Sequence, residues 1–160
     1  MKNSLKVLLC FTFLFGMLSS LAQTDFGVKG GLNYTFFKVS EGNFGNFTTT
    51  ETGYYGGVFA DIEIEDSFDL QVELLYIGLN DFKFLNAPIY LKYKIYDNFH
   101  ILVGPSLNYF FDFFNAKLKI RADLGLAYNL TPDLDVHMKY VIGFNEISPN
   151  GVFLGVGFKL

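Results

Sequence analysis

The sequence predicts an all-β protein, an eight-stranded antiparallel up-and-down transmembrane β-barrel, and three observations carry that expectation. Apolar residues alternate with small or polar ones in eight successive segments after Gln23, and no window there follows a helical period. Glycines collect on the charged register: Gly27, Gly31, Gly57, Gly104, Gly125, Gly143, Gly155 and Gly157, against Gly30, Gly56 and Gly78 on the other. The inside of an eight-stranded barrel is barely wide enough for its side chains, so the crowded face favours glycine. Aromatic residues, finally, gather near segment ends in two rims, with Val, Leu, Ile and Ala between them. Two aromatic girdles around an aliphatic belt are what the two interfaces of a bilayer select. The greasy register therefore faces outward and the charged register lines the lumen.

The chain has 160 residues, room for one domain. Its start, "MKNSLKVLLCFTFLFGMLSSLAQ", places Lys2 and Lys6 ahead of an apolar run from Val7 to Leu18, followed by small residues and Ala22. This is the pattern of a secretory signal, and the run is too short for a spanning helix. Residues 1–22 are read as a cleaved signal peptide and 23–160 as the barrel domain. Cys10, the single cysteine, sits inside the apolar run behind Leu8 and Leu9 rather than at its end, which argues against a lipoprotein anchor. The mature chain thus has no disulfide, thiol nucleophile or thiolate metal site. Of 12 basic residues, Lys2 and Lys6 leave with the signal, while 16 acidic ones remain. That balance argues against nucleic acid as a partner.

The segments run over about 24–37, 53–65, 68–79, 83–95, 99–111, 117–129, 134–145 and 151–160. Phe26, Val28, Leu32, Tyr34 and Phe36 form the apolar register of the first, and Leu70, Val72, Leu74 and Tyr76 that of the third. Leu118, Ile120, Ala122, Leu124, Leu126 and Tyr128 do the same in the sixth. "EDS" (65–67), "YDN" (96–98) and "NLTPD" (129–133) supply turn-forming residues, and "VSEGNFGNFTTTET" reads as the longest connection. Pro88 and Pro105 fall inside segments, where a missing N–H predicts a local bulge at each. The last segment, "GVFLGVGFKL", alternates to the terminus, as a strand that closes a barrel against the first must.

At this point the chain resembles the small outer-membrane β-barrel proteins of Gram-negative bacteria grouped with PorT-type proteins. "FGVKGGLNYTFF" is similar to that family's first strand, "GVFADIEIEDSFDLQVELLYI" to its second hairpin, and "LNAPIYLKYKIYDNFHILVGPSLNY" to its third. The ending resembles the carboxy-terminal signal read by the barrel-assembly machinery, with Gly155, Phe158 and Leu160 at the matching places and Leu160 replacing the usual Phe. The resemblance implies residence in the outer membrane, among its lipid. It implies no reaction, and the secretion role linked to PorT is not carried over to this shorter chain.

The lumen register collects Lys29, Asp61, Glu63, Asp69, Glu73, Lys92, Lys94, Lys119, Arg121, Asp123, Asp135 and Lys139. Paired carboxylates are also what an acid/base site uses. A salt-bridge network filling the lumen is the better reading, because buried charges must be paired. Cross-strand pairing predicts Asp69 and Glu73 facing Lys94 and Lys92. His100 and His137 have no partner at metal or triad spacing and read as lumen hydrogen-bond partners. Tyr55, Ile77, Phe110, Val141 and Phe153 make the presumed outer mouth apolar, as a plug or as a pocket for an apolar ligand. No catalytic, cofactor or metal site is expected. The expected function is structural or interactive, with a possible protein partner at the outer loops and a filled lumen. A lipid-modifying enzyme using His100 or His137, and a transport or secretion accessory, are the alternatives.

Overall fold

The computed structural model describes residues 24–41, 45–80, 82–111, 117–144 and 149–160. The expected signal peptide at 1–22 lies outside the described residues, as do 112–116 of the aromatic run after Phe111. Eight strands follow in chain order: β1 (Thr24–Glu41), β2 (Gly45–Glu65), β3 (Phe68–Leu79), β4 (Lys83–Tyr96), β5 (Phe99–Phe110), β6 (Leu118–Asn129), β7 (Leu134–Gly143) and β8 (Asn150–Lys159). Each pairs antiparallel with its neighbour, and β1 pairs with β8, so the sheet closes. The shortest strands have 10 residues, about what a tilted strand needs to cross a bilayer.

Closure explains the ordered terminus. β8 pairs with β7 on one side and β1 on the other, and the Leu160 amide donates to the Phe26 carbonyl at 2.9 Å. Parity then sorts the side chains. Val28, Leu32, Val58, Leu74, Leu124 and Val156 lie on the exposed outer face, while Lys29, Asn33, Gln71 and Glu73 on the alternate positions are buried. Leaving so many large apolar groups outside is tolerable only where the surroundings are also apolar.

Phe26, Tyr93, Tyr96, Tyr128 and Phe158 ring one end of the outer face, and Tyr54, Tyr76, Tyr109, Tyr140 and Phe144 ring the other. Phe84, which segment-end position alone assigns to the second ring, points inward instead and is fully buried. Register explains the difference: Asn86, two residues on, is also buried, so Phe84 shares the lumen parity.

Two further expectations change. No register shift occurs at Pro88 or Pro105; the shifts lie at Glu63/Glu65 and Lys94/Tyr96, beside the short turns. The ladder instead skips pairs around both prolines and resumes in the same register. Beside Pro105 the strands approach closely at Gly104, where an added Cβ would lie 1.9 Å from the Ile89 carbonyl oxygen. Second, the stretch read as the longest loop is largely strand. β1 pairs with β8 only up to Phe36, and β2 pairs with β3 only from Gly53. Beyond those points Phe37–Glu41 and Gly45–Thr49 pair, among the described residues, only with each other, as a two-stranded ribbon whose first residue, Phe37, still packs against the buried cluster inside the barrel.

Candidate functional site

The inward register builds one continuous filling with two halves. Short turns (66–67, 97–98 and 130–133) mark one end of the barrel, called here the turn end. The β1–β2 ribbon marks the loop end. In the turn-end half, Glu73 on β3 is held between two ammonium groups, Lys29 of β1 at 2.9 Å and Lys139 of β7. Lys29 also donates to the Gln71 side-chain oxygen at 2.8 Å, and Gln71 donates to Asp61. Asp61 accepts from Lys92 at 2.7 Å, and Asp69 lies 3.8 Å from the same ammonium. Across the closing seam Lys159 meets Asp25 at 2.8 Å.

Burial is what makes the inner bonds of this network matter, whereas the Lys159–Asp25 pair is more exposed. Lys29, Glu73 and Lys139 are at most 4% exposed, so their charges have given up water and rely on each other. Neighbouring rings add to the enclosure: Lys29 lies 4.7 Å from the Phe59 centroid and Lys139 5.2 Å from that of Tyr90. Asp123 accepts from Tyr90 at 2.8 Å and from Ser106 at 2.6 Å. His137 sits between Asp135, 2.7 Å from its Nδ1, and the Tyr55 hydroxyl, 2.6 Å from its Nε2. That hydroxyl presses on β8: a Cβ at Gly155 would lie 2.1 Å from it. Only glycine fits there.

The loop-end half is apolar. Tyr55, Leu75, Ile77, Leu79, Phe84, Phe110, Val141 and Phe153 form one buried cluster, all at most 4% exposed. Phe84 and Phe110 stack with centroids 4.6 Å apart, and Tyr55 meets Phe153 edge-on at 5.2 Å. Arg121 is fully buried against this cluster. Its guanidinium carbon lies 5.4 Å from the Phe84 centroid and 5.8 Å from that of Phe110, while its N–H groups donate to the Asn108 side chain and, at 2.8 Å, to the Pro149 carbonyl.

Of the charged positions expected in the lumen, Lys29, Asp61, Asp69, Glu73, Lys92 and Lys139 share the ion-pair network, Asp123 and Asp135 are hydrogen-bonded by neutral partners nearby, and Arg121 is hydrogen-bonded through its two terminal nitrogens. Glu63 and Lys94 are exposed at the turn end, where Lys94 lies 3.7 Å from Asp97. Lys119 is half-buried opposite Asn108. The expected pairing of Asp69 and Glu73 with Lys94 and Lys92 is replaced. Asp69 stands opposite Lys92 in the β3–β4 register, and Glu73 reaches across the lumen. Neutral members were missed from the charge-based reading: Gln71, Tyr90, Ser106, Asn108, Asn33 and Asn86 are all buried on the inward register. The same parity that finds the lysines finds them.

Both histidines are 5% exposed on the lumen side of the wall, away from any lipid on the outer face. Among the described residues no three His, Cys, Asp or Glu side chains are placed to hold a metal ion. Gly155 lies inward, Phe158 outward on the turn-end aromatic rim, and Leu160 is exposed at the chain end.

No protein-family model matches the chain, and no curated protein matches it. Solved structures do. The attachment invasion locus protein Ail of Yersinia pestis is 13% identical with a TM-score of 0.53, over 86% of this chain and 99% of that one. Neisserial surface protein A is 16% identical with a TM-score of 0.53 over 86% and 99%. A de novo designed transmembrane β-barrel is 17% identical with a TM-score of 0.53 over 86% and 93%. At such identities the likeness is one of fold: the chain is built as a small eight-stranded barrel of the outer-membrane kind.

Proposed function

We propose that this protein is an outer-membrane barrel of a Gram-negative bacterium whose role is structural or interactive, exerted through its loop end. The observation that carries the reading is the β1–β2 ribbon. It extends past the last β8 partner of β1 and the last β3 partner of β2, so among the described residues neither of its edges has a strand partner. An open strand edge is a template for another chain. Short turns belong on the periplasmic side of such barrels and longer connections outside, so the ribbon would face the exterior. The interleaved charges and rings of the lumen support a plug rather than an open pore, and support reading the chain as a non-enzyme.

Residues 1–22 act, in this reading, as the export signal, and Gly155, Phe158 and Leu160 as the mark read by the assembly machinery. Kinship with PorT-type barrels is part of the same proposal, on the sequence resemblance given above. The experiment is to shorten the stretch from Val39 to Thr52 and cross-link living cells. The shortened protein should keep its heat-dependent gel mobility and lose a partner band that the full-length protein shows. Retention of every cross-linked band by the shortened protein would sink the proposal.

A further inference from the structure

The two edges of the ribbon differ in chemistry. The β1 edge carries Lys38 and Glu41, whereas residues 45–50 of β2, "GNFTTT", include no charge and no proline. Charges and prolines are what keep exposed strand edges from pairing. The run of threonines also favours an extended strand. Among the described residues β2 has no partner on its β3 side before Gly53, and Thr49 and Thr50 are both exposed. The next charge, Glu51, accepts from the Asn80 side chain at 3.4 Å. One edge is thus guarded and the other left ready to pair.

The sequence of the open edge says what fits it. Turned on itself antiparallel about Thr49, it sets Thr49 opposite Thr49 and Thr48 opposite Thr50 of the other copy. Threonines are favourable cross-strand partners, and Glu51 falls opposite Phe47 rather than its own copy, so no like charges meet. A two-fold axis that pairs strands in this way is normal to the sheet. β1 and β2 run unbroken from wall to ribbon, and Phe37 at the ribbon base packs against the cluster inside the barrel, so the ribbon continues the wall. That axis then lies in the membrane plane and inverts one barrel relative to the other. We propose that the β2 edge of the ribbon pairs with the same edge of a second copy of this chain in an opposing membrane. Self-pairing presupposes the loop-end role given above and supplies its partner. A single pair over residues 47–51 is about 17 Å long at about 3.4 Å per residue, and a lone strand pair is marginal in water. Many copies facing each other across two membranes make the contact firm.

The test is clustering of lipid vesicles that carry the folded barrel with its loop ends outward, in two populations marked with different dyes. Wild-type vesicles should cluster and bring the dyes together. Vesicles of Thr49→Lys alone, or of Thr49→Glu alone, should cluster about ten-fold less, since like charges then face each other across the two-fold axis. Mixing the lysine and glutamate populations should restore clustering. Thr49 is exposed, so both variants should keep their heat-dependent gel mobility. Clustering that Thr49→Lys leaves unchanged, or a mixture that stays dispersed, would overturn the self-pairing. So would clustering of Thr49→Lys vesicles with protein-free anionic vesicles, in favour of plain charge attraction. Dispersed wild-type vesicles, with the cross-linked band in cells still depending on the ribbon, would reject self-pairing and leave the loop-end role standing with a different partner.

Discussion

The two halves of the lumen face the same problem, filling a narrow closed space, and solve it with opposite chemistry. Near the turn end Glu73 lies between Lys29 and Lys139, with Gln71, Asp61 and Lys92 continuing the chain of contacts. Near the loop end Leu75, Ile77, Phe84, Phe110 and Phe153 pack through apolar surface, with the Arg121 guanidinium laid against the Phe84 and Phe110 rings. Apolar packing degrades gradually, because each lost methylene forfeits a few contacts. An ionic filling fails abruptly, because removing one partner strands the others in a medium that cannot solvate them. Tyr55 belongs to both halves: its ring meets Phe153 and its hydroxyl meets His137.

That contrast is breakable. Glu73→Gln should cost the most, about 3–5 kcal/mol, since it leaves Lys29 and Lys139 buried without a counter-charge. Urea unfolding of the barrel in lipid vesicles measures it. Replacing the three together, Lys29→Met, Glu73→Leu and Lys139→Met, should recover most of that loss, because no stranded charge remains. If the triple variant were as unstable as the single one, the ionic account of the turn-end half would be wrong.

At the boundary Tyr55→Phe keeps the ring in the plug and removes only the hydroxyl. His137 then loses the partner at its Nε2, and about 1–3 kcal/mol should go with it. A null effect in the same unfolding assay would mean that water replaces the hydroxyl, so the boundary is wetter than its burial implies. Smallest of the three, Ile77→Val removes one methylene from the apolar half and should cost about 0.5–1.5 kcal/mol. A loss as large as that of Glu73→Gln would erase the distinction between the halves.

Much of the wall was legible from residues alone. The alternation of Val28, Gly30, Leu32 and Tyr34 against Lys29, Gly31, Asn33 and Thr35 identifies the outer and inner faces, and the short turns at Asp66, Asp97 and Thr131 fall where turn residues cluster. The ribbon was not legible. From Lys38 to Thr52 the sequence "KVSEGNFGNFTTTET" alternates no apolar register against a polar one, so the period-2 signal fades although the backbone is largely strand. The prolines misled for a different reason: a bulge is one remedy for a missing donor, and leaving out the neighbouring pairs while keeping register is another. The β3–β4 and β4–β5 ladders take the second course.

By itself, then, the sequence determined the number of strands, their faces, the aromatic rims and the closure of the last strand on the first. It could do so because a strand's side chains alternate with a period of two and each face meets a different medium. Only the tertiary structure decided that Glu73 reaches Lys29 and Lys139 rather than its neighbours on β4, that Phe84 joins the plug, and that His137 lies between Asp135 and Tyr55. Parity says which face a residue takes. Its height and bearing within the barrel depend on the stagger with which eight strands close, a property of the whole ring that no single segment contains.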